Sequence, residues 1–142
     1  MNRAATSDAP LVMAITGASG APYGIRLLEQ LLVAERRVSL IVSSHGFRLL
    51  ETESDVKDLA GLRAAVGAKR FDKLVTVFDD KDRGAAPASG SSLAGGMVIC
   101  PCSMGTLASI AAGTSRSLVE RAADVALKAR RPLHMVTCET PL

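Results

Sequence analysis

Aromatic side chains are scarce in this sequence, and tryptophan is absent. Phe, Tyr and Trp together make up 3% of the 142 residues. Proteins that bind single-stranded nucleic acid stack the bases on aromatic rings, and nucleic-acid-binding domains carry clustered Lys and Arg. The net charge here is only +3, and the sequence has no long run of Lys and Arg. The composition therefore argues against nucleic acid as the main partner.

Cysteines that could all pair in disulfides are also lacking. Cys100, Cys102 and Cys138 are an odd number and cannot pair completely. Residues 1–10 have no apolar core of the kind that a secretory signal peptide contains. An odd cysteine count without such a leader is typical of the reducing cytoplasm. We therefore expect a cytoplasmic protein.

A metal site is not indicated either. Cys100 and Cys102 form a C-x-C pair, but a structural zinc site needs four ligands. The sequence has no second cysteine pair and no histidine near this one. We predict no metal, and we expect both side chains to be buried as small hydrophobic groups.

Charged residues are missing from one long segment, residues 84–115. The segment is long enough to cross a membrane, but Pro87 and Pro101 would break a continuous apolar helix. We therefore predict no membrane span there. We interpret the segment as part of a pocket that binds its ligand through backbone and hydroxyl groups.

Short apolar segments alternate with amphipathic ones along the chain, which is typical of an α/β fold with helices on both faces of a parallel sheet. We expect one domain over residues 11–142, preceded by a disordered tail over residues 1–10. The apolar segments predict β-strands at residues 11–15, 38–42, 74–78, 97–100 and 133–136. The amphipathic segments predict helices at residues 23–35, 45–53, 55–68, 103–112 and 118–130.

Small and polar residues follow four of the predicted strands. They occupy residues 16–20, 43–44, 101–106 and 138–139. Because ligands of parallel sheets bind beyond the carboxyl ends of the strands, these segments predict one binding site at that edge.

The first of these segments contains Gly-Ala-Ser-Gly at residues 17–20 and opens the first predicted helix. Glycine lets the backbone approach a ligand closely, and the N–H groups of a helix N-terminus attract anions. We therefore predict a phosphate or nucleotide role, although a plain tight turn between strand and helix would need the same residues. The segment is neither a G-x-G-x-x-G motif nor a P-loop, which would need a lysine.

A row of charged residues leaves two interpretations open. Arg121, Asp124 and Lys128 share one face of a predicted helix. They form either a solvated row of ion pairs or a cationic wall for a phosphate. Glu139 follows the last predicted strand, where it either shuttles a proton or lies in a solvated loop.

The two histidines, His45 and His134, have no Ser or Cys partner at a characteristic spacing. A lone histidine is weak evidence for catalysis. We therefore interpret both as structural.

Several stretches together resemble the UbiX-type flavin prenyltransferases, a family formerly described as aromatic acid decarboxylases. They have the order and spacing of that family and cover nearly everything from Leu11 to Leu142. The combination of PASGS, CPCS and ERAADVALK in one chain is specific. The matching stretches are ITGASGAPYGIRLL (15–28), LIVSS (40–44), ETESD (51–55), PASGS (87–91), MVICPCS (97–103), ERAADVALKARRPL (120–133) and ETPL (139–142).

The resemblance implies a Rossmann-like, three-layer flavoprotein fold, assembled as trimers that pack into a dodecamer. It also implies an enzyme that needs no metal. Such an enzyme joins the dimethylallyl group of dimethylallyl phosphate to N5 and then C6 of reduced FMN. The product, prenylated FMN, is the cofactor of UbiD-type decarboxylases.

Carried over to the matching positions, the resemblance assigns roles to residues of this chain. Glu139 would take part in proton transfer near N5, with Ser19 beside it. The FMN-binding residues would be Gly17, Ala18, Ser19, Ser43, Ser103, Met104, Gly105, Thr106 and Arg121. The prenyl phosphate would be held, partly across a subunit boundary, by Ser89, Gly90, Ser91 and Lys128.

The chain departs from the family pattern in two places. The family usually has Arg immediately before the Glu that matches Glu139, and this chain has Cys138 there. A thiol cannot replace the planar guanidinium as a phosphate ligand. Family members also continue past the position of Leu142, through a segment that normally supplies a Tyr and a basic residue to the prenyl phosphate. We therefore expect an intact FMN site and a weakened prenyl-phosphate site.

Two other functions compete with flavin prenylation. One is an FMN-binding protein of the same fold with little or no transferase activity, which Cys138 favours. The other is a related flavoprotein that oxidatively decarboxylates peptidyl or pantothenoyl cysteine. That group typically uses a catalytic His early in the chain, and His45 does not match it well. The sequence therefore does not support the second alternative.

Overall fold

A single parallel sheet of five strands organises the molecule, with the strand order β3-β2-β1-β4-β5. The computed structural model describes residues 8–92 and 94–138. The strands are β1 Leu11–Ile15, β2 Val38–Val42, β3 Val75–Asp79, β4 Met97–Cys102 and β5 Leu133–Thr137. The helices are α1 Ala21–Val33, α2 Ser44–Ser54, α3 Leu59–Val66, α4 Ala68–Leu74, α5 Met104–Ala112 and α6 Leu118–Lys128, with a 3-10 turn at Ala86–Ala88.

Alternate side chains of each central strand pack on opposite faces of the sheet. Met13 and Ile15 of β1 join a core with residues of α1 to α4. Val12 and Ala14 join a second core with residues of α5 and α6. Successive side chains of a β-strand point to opposite faces of the sheet, which produces this division. A sheet that is buried on both faces therefore needs apolar residues at odd and at even positions of its strands. The predicted three-layer α/β architecture is confirmed.

The path of the chain creates a crevice at one point of the sheet. From β1 the chain moves outward to β2 and β3, and it then returns to place β4 on the other side of β1. The carboxyl ends of β1 and β4 therefore flank the point where the strand order reverses, which is where ligands bind in open parallel sheets.

Three predicted boundaries were wrong. The helix predicted over residues 55–68 forms only at α3, and Gly67, with φ +104°, separates α3 from a further helix, α4. The second of these, α4, continues to Leu74, where we predicted the start of a strand. Strand β4 was predicted to stop at residue 100, but it runs on through Pro101 to Cys102.

Pro101 is tolerated in β4 because the ladder with β5 is irregular there. The register shifts between Ile99 and Cys102, so the missing N–H of proline is not needed for a regular pair. The Pro101 carbonyl instead accepts hydrogen bonds from the other neighbour, β1, through the N–H and the hydroxyl of Thr16. Strand β4 therefore extends further toward the crevice than the strand predicted from its apolar residues.

A buried carboxylate holds the start of α6. Glu120 is 7% exposed and accepts hydrogen bonds from the Arg116 N–H and, at 3.4 Å, from the Thr114 hydroxyl. Burial raises the pKa of Glu120, but hydrogen bonds from the Arg116 backbone and from Ser109 outweigh burial, so its pKa lies below the ordinary value. The family-like stretch at residues 120–133 therefore contains a residue that stabilises the fold, Glu120, as well as a cationic face.

We expect Glu120→Gln to lower the free energy of unfolding at pH 7 by about 1–3 kcal/mol, because buried hydrogen-bond acceptors lose their charge. The folded-state pKa is depressed, so this stabilisation is present above the unfolded value of 4.5 and is lost as the pH falls through the lower folded value. Urea titrations of the two proteins from pH 7 downwards measure both effects. The variant should lose less stability on acidification, with Glu51→Gln on the surface of α2 as the control. Parallel loss in the variant and the parent would contradict the prediction.

Candidate functional site

Thr16 ties together the strand ends that flank the crevice. Its side chain is buried, and its hydroxyl donates to the Pro101 carbonyl at 2.8 Å and accepts from the Ser103 N–H at 2.9 Å. On the other side, the Ser43 N–H donates to the Ile15 carbonyl at 3.0 Å. The structure thus brings the segments that follow β1, β2 and β4 to one edge, as the sequence predicted.

The loop after β1 lies in close contact with helix α2. A Cβ atom added to Gly17 would lie 2.4 Å from the Cβ of His45, which is closer than real Cβ atoms approach each other. A Cβ added to Gly46 would lie 2.4 Å from the Ile15 carbonyl oxygen. Glycine at both positions is therefore required by the close approach of α2 to the end of β1.

Hydroxyl groups line the start of α5. The Ser103 side chain caps this helix by accepting from the Thr106 N–H at 3.1 Å, and its hydroxyl lies 2.8 Å from the Thr106 hydroxyl. Met104 follows the cap and is 61% exposed, which is unusual for a large apolar side chain. A polar turn with one exposed apolar side chain therefore lies at the edge of the crevice. It consists of Ser103, Met104, Gly105 and Thr106.

A carboxylate that sequence reasoning missed occupies the N-terminus of α1. Glu53 of α2 accepts from the Ser19 hydroxyl at 2.9 Å and from the Gly20 and Ala21 N–H groups at 3.0 Å each. The hydrogen bond from the Ala21 backbone, with those from Ser19 and Gly20, lowers the pKa of Glu53. We predicted that the N–H groups at the start of this helix bind a phosphate, but they already donate to the carboxylate of Glu53. The signal was present, because Glu53 lies in the family-like stretch ETESD.

A cavity of about 310 Å³ opens beside Ser19, between α1 and the ends of β4 and β5. Its surface is mostly apolar, with the hydroxyls of Ser19 and Thr137 among the polar groups. The lining residues are Ser19, Gly20, Tyr23, Cys100, Pro101, Val136, Thr137 and Cys138. We call this the strand-end cavity. Glu139, predicted to act in proton transfer, lies outside the described residues, directly after Cys138.

The buried cysteines next to this cavity are not activated. Burial raises the pKa of the Cys100 thiol, and burial raises the pKa of Cys102 to about 11. Both are therefore thiols rather than thiolates at neutral pH, and a thiol is a poor nucleophile and metal ligand. Within residues 8–92 and 94–138, no three His, Cys, Asp or Glu side chains are grouped so that they could hold a metal ion.

A second cavity, of about 440 Å³, carries positive charge. It lies between the loop around Gly90 and the outer face of α6, which contributes Arg121 and Lys128. In the described ranges, neither cation forms an ion pair, so the interpretation as a row of ion pairs finds no support there. The hydroxyls of Ser89 and Ser91 lie 2.9 Å apart beside Gly90. We call this the cationic cavity.

Arg121 lines the cationic cavity with Gly90 and Lys128. Its role among the residues that bind FMN stays a prediction. Among the described residues, the two cavities share no lining residue. Ser43 and Ser103 lie at the strand ends, as predicted, whereas the predicted phosphate ligands lie on α6 and its neighbouring loop.

The comparisons with known proteins agree with this architecture. Residues 2–142 match the model of the Flavoprotein family. The flavin prenyltransferase UbiX of Pseudomonas aeruginosa is 46% identical over 138 residues, which are 92% of this chain and 65% of the relative. UbiX of Deinococcus radiodurans is 43% identical, over 96% of this chain and 68% of the relative. The chain belongs to the UbiX group of the flavoprotein family.

Solved structures of UbiX proteins have the same fold. AnUbiX (PadA1), crystallised with FMN and dimethylallyl pyrophosphate, superposes with a TM-score of 0.83 at 37% identity, over 94% of this chain and 66% of that one. A dodecameric FMN-dependent UbiX-like decarboxylase from Escherichia coli O157:H7 superposes with a TM-score of 0.81 at 36% identity, over 94% and 68%. The predicted family resemblance is thus confirmed. The chain spans about two thirds of the length of these UbiX relatives.

In the part of this UbiX chain that the structure describes, no helix is both long and apolar enough to cross a membrane. The proline-interrupted segment at residues 84–115 instead contributes β4, α5 and the loop beside the cationic cavity.

Proposed function

We propose that this chain binds reduced FMN and joins to its N5 and C6 atoms the dimethylallyl group of dimethylallyl phosphate. The product, prenylated FMN, would serve UbiD-type decarboxylases, and we propose a cytoplasmic location from the odd cysteine count. The observation that carries the proposal is the crevice at the reversal of strand order, where Ser43 and Ser103 are hydrogen-bonded to the end of β1 and a mostly apolar cavity opens beside Ser19 and Pro101. The named UbiX relatives favour this function over an FMN-binding protein without activity.

The strand ends fit the phosphate and the polar chain of FMN. Hydroxyl and N–H groups follow β2 and β4 at Ser43 and at Ser103 to Thr106, next to the loop that contains Gly17. The carboxylate of Glu53, at the N-terminus of α1, would repel a phosphate from that helix. We therefore assign the phosphate to the strand-end residues with Gly17 and Ala18, and not to the start of α1.

The strand-end cavity suits the chemistry that FMN undergoes as substrate. Ionisation of an allylic phosphate leaves a carbocation that water would destroy, and mostly apolar walls exclude water. Ser19 is fixed by Glu53, so its oxygen has a defined position at the edge of the cavity. Glu139 follows in the sequence after Cys138, and we propose that it moves the proton near N5, with Ser19 beside it.

The leaving phosphate needs cations, which the cationic cavity offers through Lys128 and Arg121. Because the two cavities share no described lining residue, we propose that the cationic cavity of one copy completes the strand-end cavity of another. The protein would then be active as a homo-oligomer built from trimers, and the related E. coli protein is dodecameric.

Binding of FMN tests the first half of this proposal. We expect the purified chain, mixed with excess FMN and passed through a desalting column, to retain about one flavin per chain by visible absorbance. The same chain should elute as an oligomer on a column with light-scattering detection. Elution of a colourless protein would contradict the flavin site, and a flavin-bound monomer would contradict the shared-cavity arrangement.

A further inference from the structure

The side chain of His45 has no role in the site as built so far, yet it lies directly against the loop after β1. His45 is the second residue of α2, and its Cβ and Cα would lie 2.4 Å and 3.4 Å from a Cβ at Gly17. The position of His45 is therefore set by the same close approach that requires glycine at residue 17.

General helix geometry directs the imidazole toward the crevice. Side chains of a helix lean toward its N-terminus, and the N-terminus of α2 lies at the carboxyl end of β2, next to Ser43. His45 is exposed, and within the described residues its ring makes no hydrogen bond and no ion pair. The acidic residues Asp79 and Asp80 line a separate cavity with Ser44 and Phe47, and His45 does not line it.

We propose that His45 contacts the phosphate of bound FMN through an imidazole N–H group. The inference rests on the proposed FMN site and adds a residue to it. Neutral imidazole has one N–H donor and the charged form has two, so the ring can donate to a phosphate oxygen in either state. Ser43 and Ser103 follow the ends of β2 and β4 at the same edge of the sheet, where their hydroxyls cap α2 and α5. His45 is thus a binding residue and not only a packing partner of Gly17.

Equilibrium titrations with FMN and riboflavin test this assignment, because the two ligands differ only in the phosphate. We expect His45→Ala to weaken FMN binding about 10–100-fold, as for loss of one hydrogen bond to a charged group, and to leave riboflavin binding unchanged. His45→Gln keeps an N–H donor and should recover at least part of the FMN affinity. His134→Ala, which removes the exposed histidine of β5, should alter neither affinity.

The outcomes separate this inference from the proposed function. Equal weakening of FMN and riboflavin in His45→Ala would overturn the phosphate contact and indicate packing of the ring alone. Unchanged FMN affinity in His45→Ala would overturn it as well, while the FMN site itself would stand. If the parent chain bound neither flavin, the proposed function and this inference would fail together. Thermal unfolding of each variant tests whether a loss of affinity reflects a loss of folding.

Discussion

Replacing Gly17 by alanine is expected to weaken FMN binding by about 5–100-fold, because overpacking at a close contact costs about 1–3 kcal/mol and displaces the loop that approaches the flavin. The added methyl group would lie 2.4 Å from the His45 Cβ and 3.3 Å from the His45 carbonyl carbon. Neither atom is the end of a flexible side chain, so α2 or the loop after β1 must shift. Flavin fluorescence titration measures the affinity, and urea unfolding measures the accompanying loss of stability.

Gly84→Ala is the matched control for this change. The same methyl group at Gly84 would meet nothing closer than the Asp82 Oδ1 atom at 3.7 Å, which is an ordinary contact. We expect the control to retain the affinity and the stability of the parent. Equal FMN affinity for Gly17→Ala and Gly84→Ala would show that the loop after β1 does not approach the flavin.

Removing the cation at Lys128 is expected to slow prenyl transfer by about 10–100-fold, because a charge-assisted hydrogen bond to the leaving phosphate is worth about 1.5–3 kcal/mol. We choose Lys128→Met, which keeps the length of the side chain. FMN affinity should stay unchanged, since Lys128 lies on α6 in the cationic cavity and not at the strand ends. Single-turnover formation of the product, followed by mass spectrometry, measures slow rates directly.

Two further variants sharpen this result. Lys57→Met removes an exposed lysine between α2 and α3 and should leave the rate unchanged. Cys138→Arg introduces the cation that the family usually has at this position of the strand-end cavity, and we expect it to raise the rate. A rate that neither Lys128→Met nor Cys138→Arg alters would show that other groups hold the phosphate.

Local sequence patterns predicted the central strands well. The bounds of β1 and β2 agree with the prediction, because each is an apolar run that ends at a polar or glycine residue. The meeting of the strand ends followed from the parallel topology alone, since all carboxyl ends of parallel strands share one edge. The helix predicted over residues 103–112 is also present as α5, and Ser103 caps it instead of forming its first turn.

Contacts between distant residues were not predictable in this way. Glu53 holds the start of α1 from a position more than thirty residues further along the chain, and the hydrophobic periodicity of α2 does not indicate this contact. Asp80 similarly binds the Val119 N–H at the start of α6. The extension of β4 through Pro101 depends on a register shift with β5. Each of these features is set by tertiary packing, which periodicity and turn chemistry do not encode.

The mass of the flavin after reaction tests the central claim most directly. The chain is incubated without oxygen with reduced FMN and dimethylallyl phosphate, and the flavin is then extracted and weighed by mass spectrometry. The account predicts a flavin heavier than FMN by one C5H8 unit, formed only when both substrates and the chain are present. Recovery of unmodified FMN alone, from a chain that demonstrably binds FMN, would contradict the prenyltransferase function and leave an FMN-binding protein.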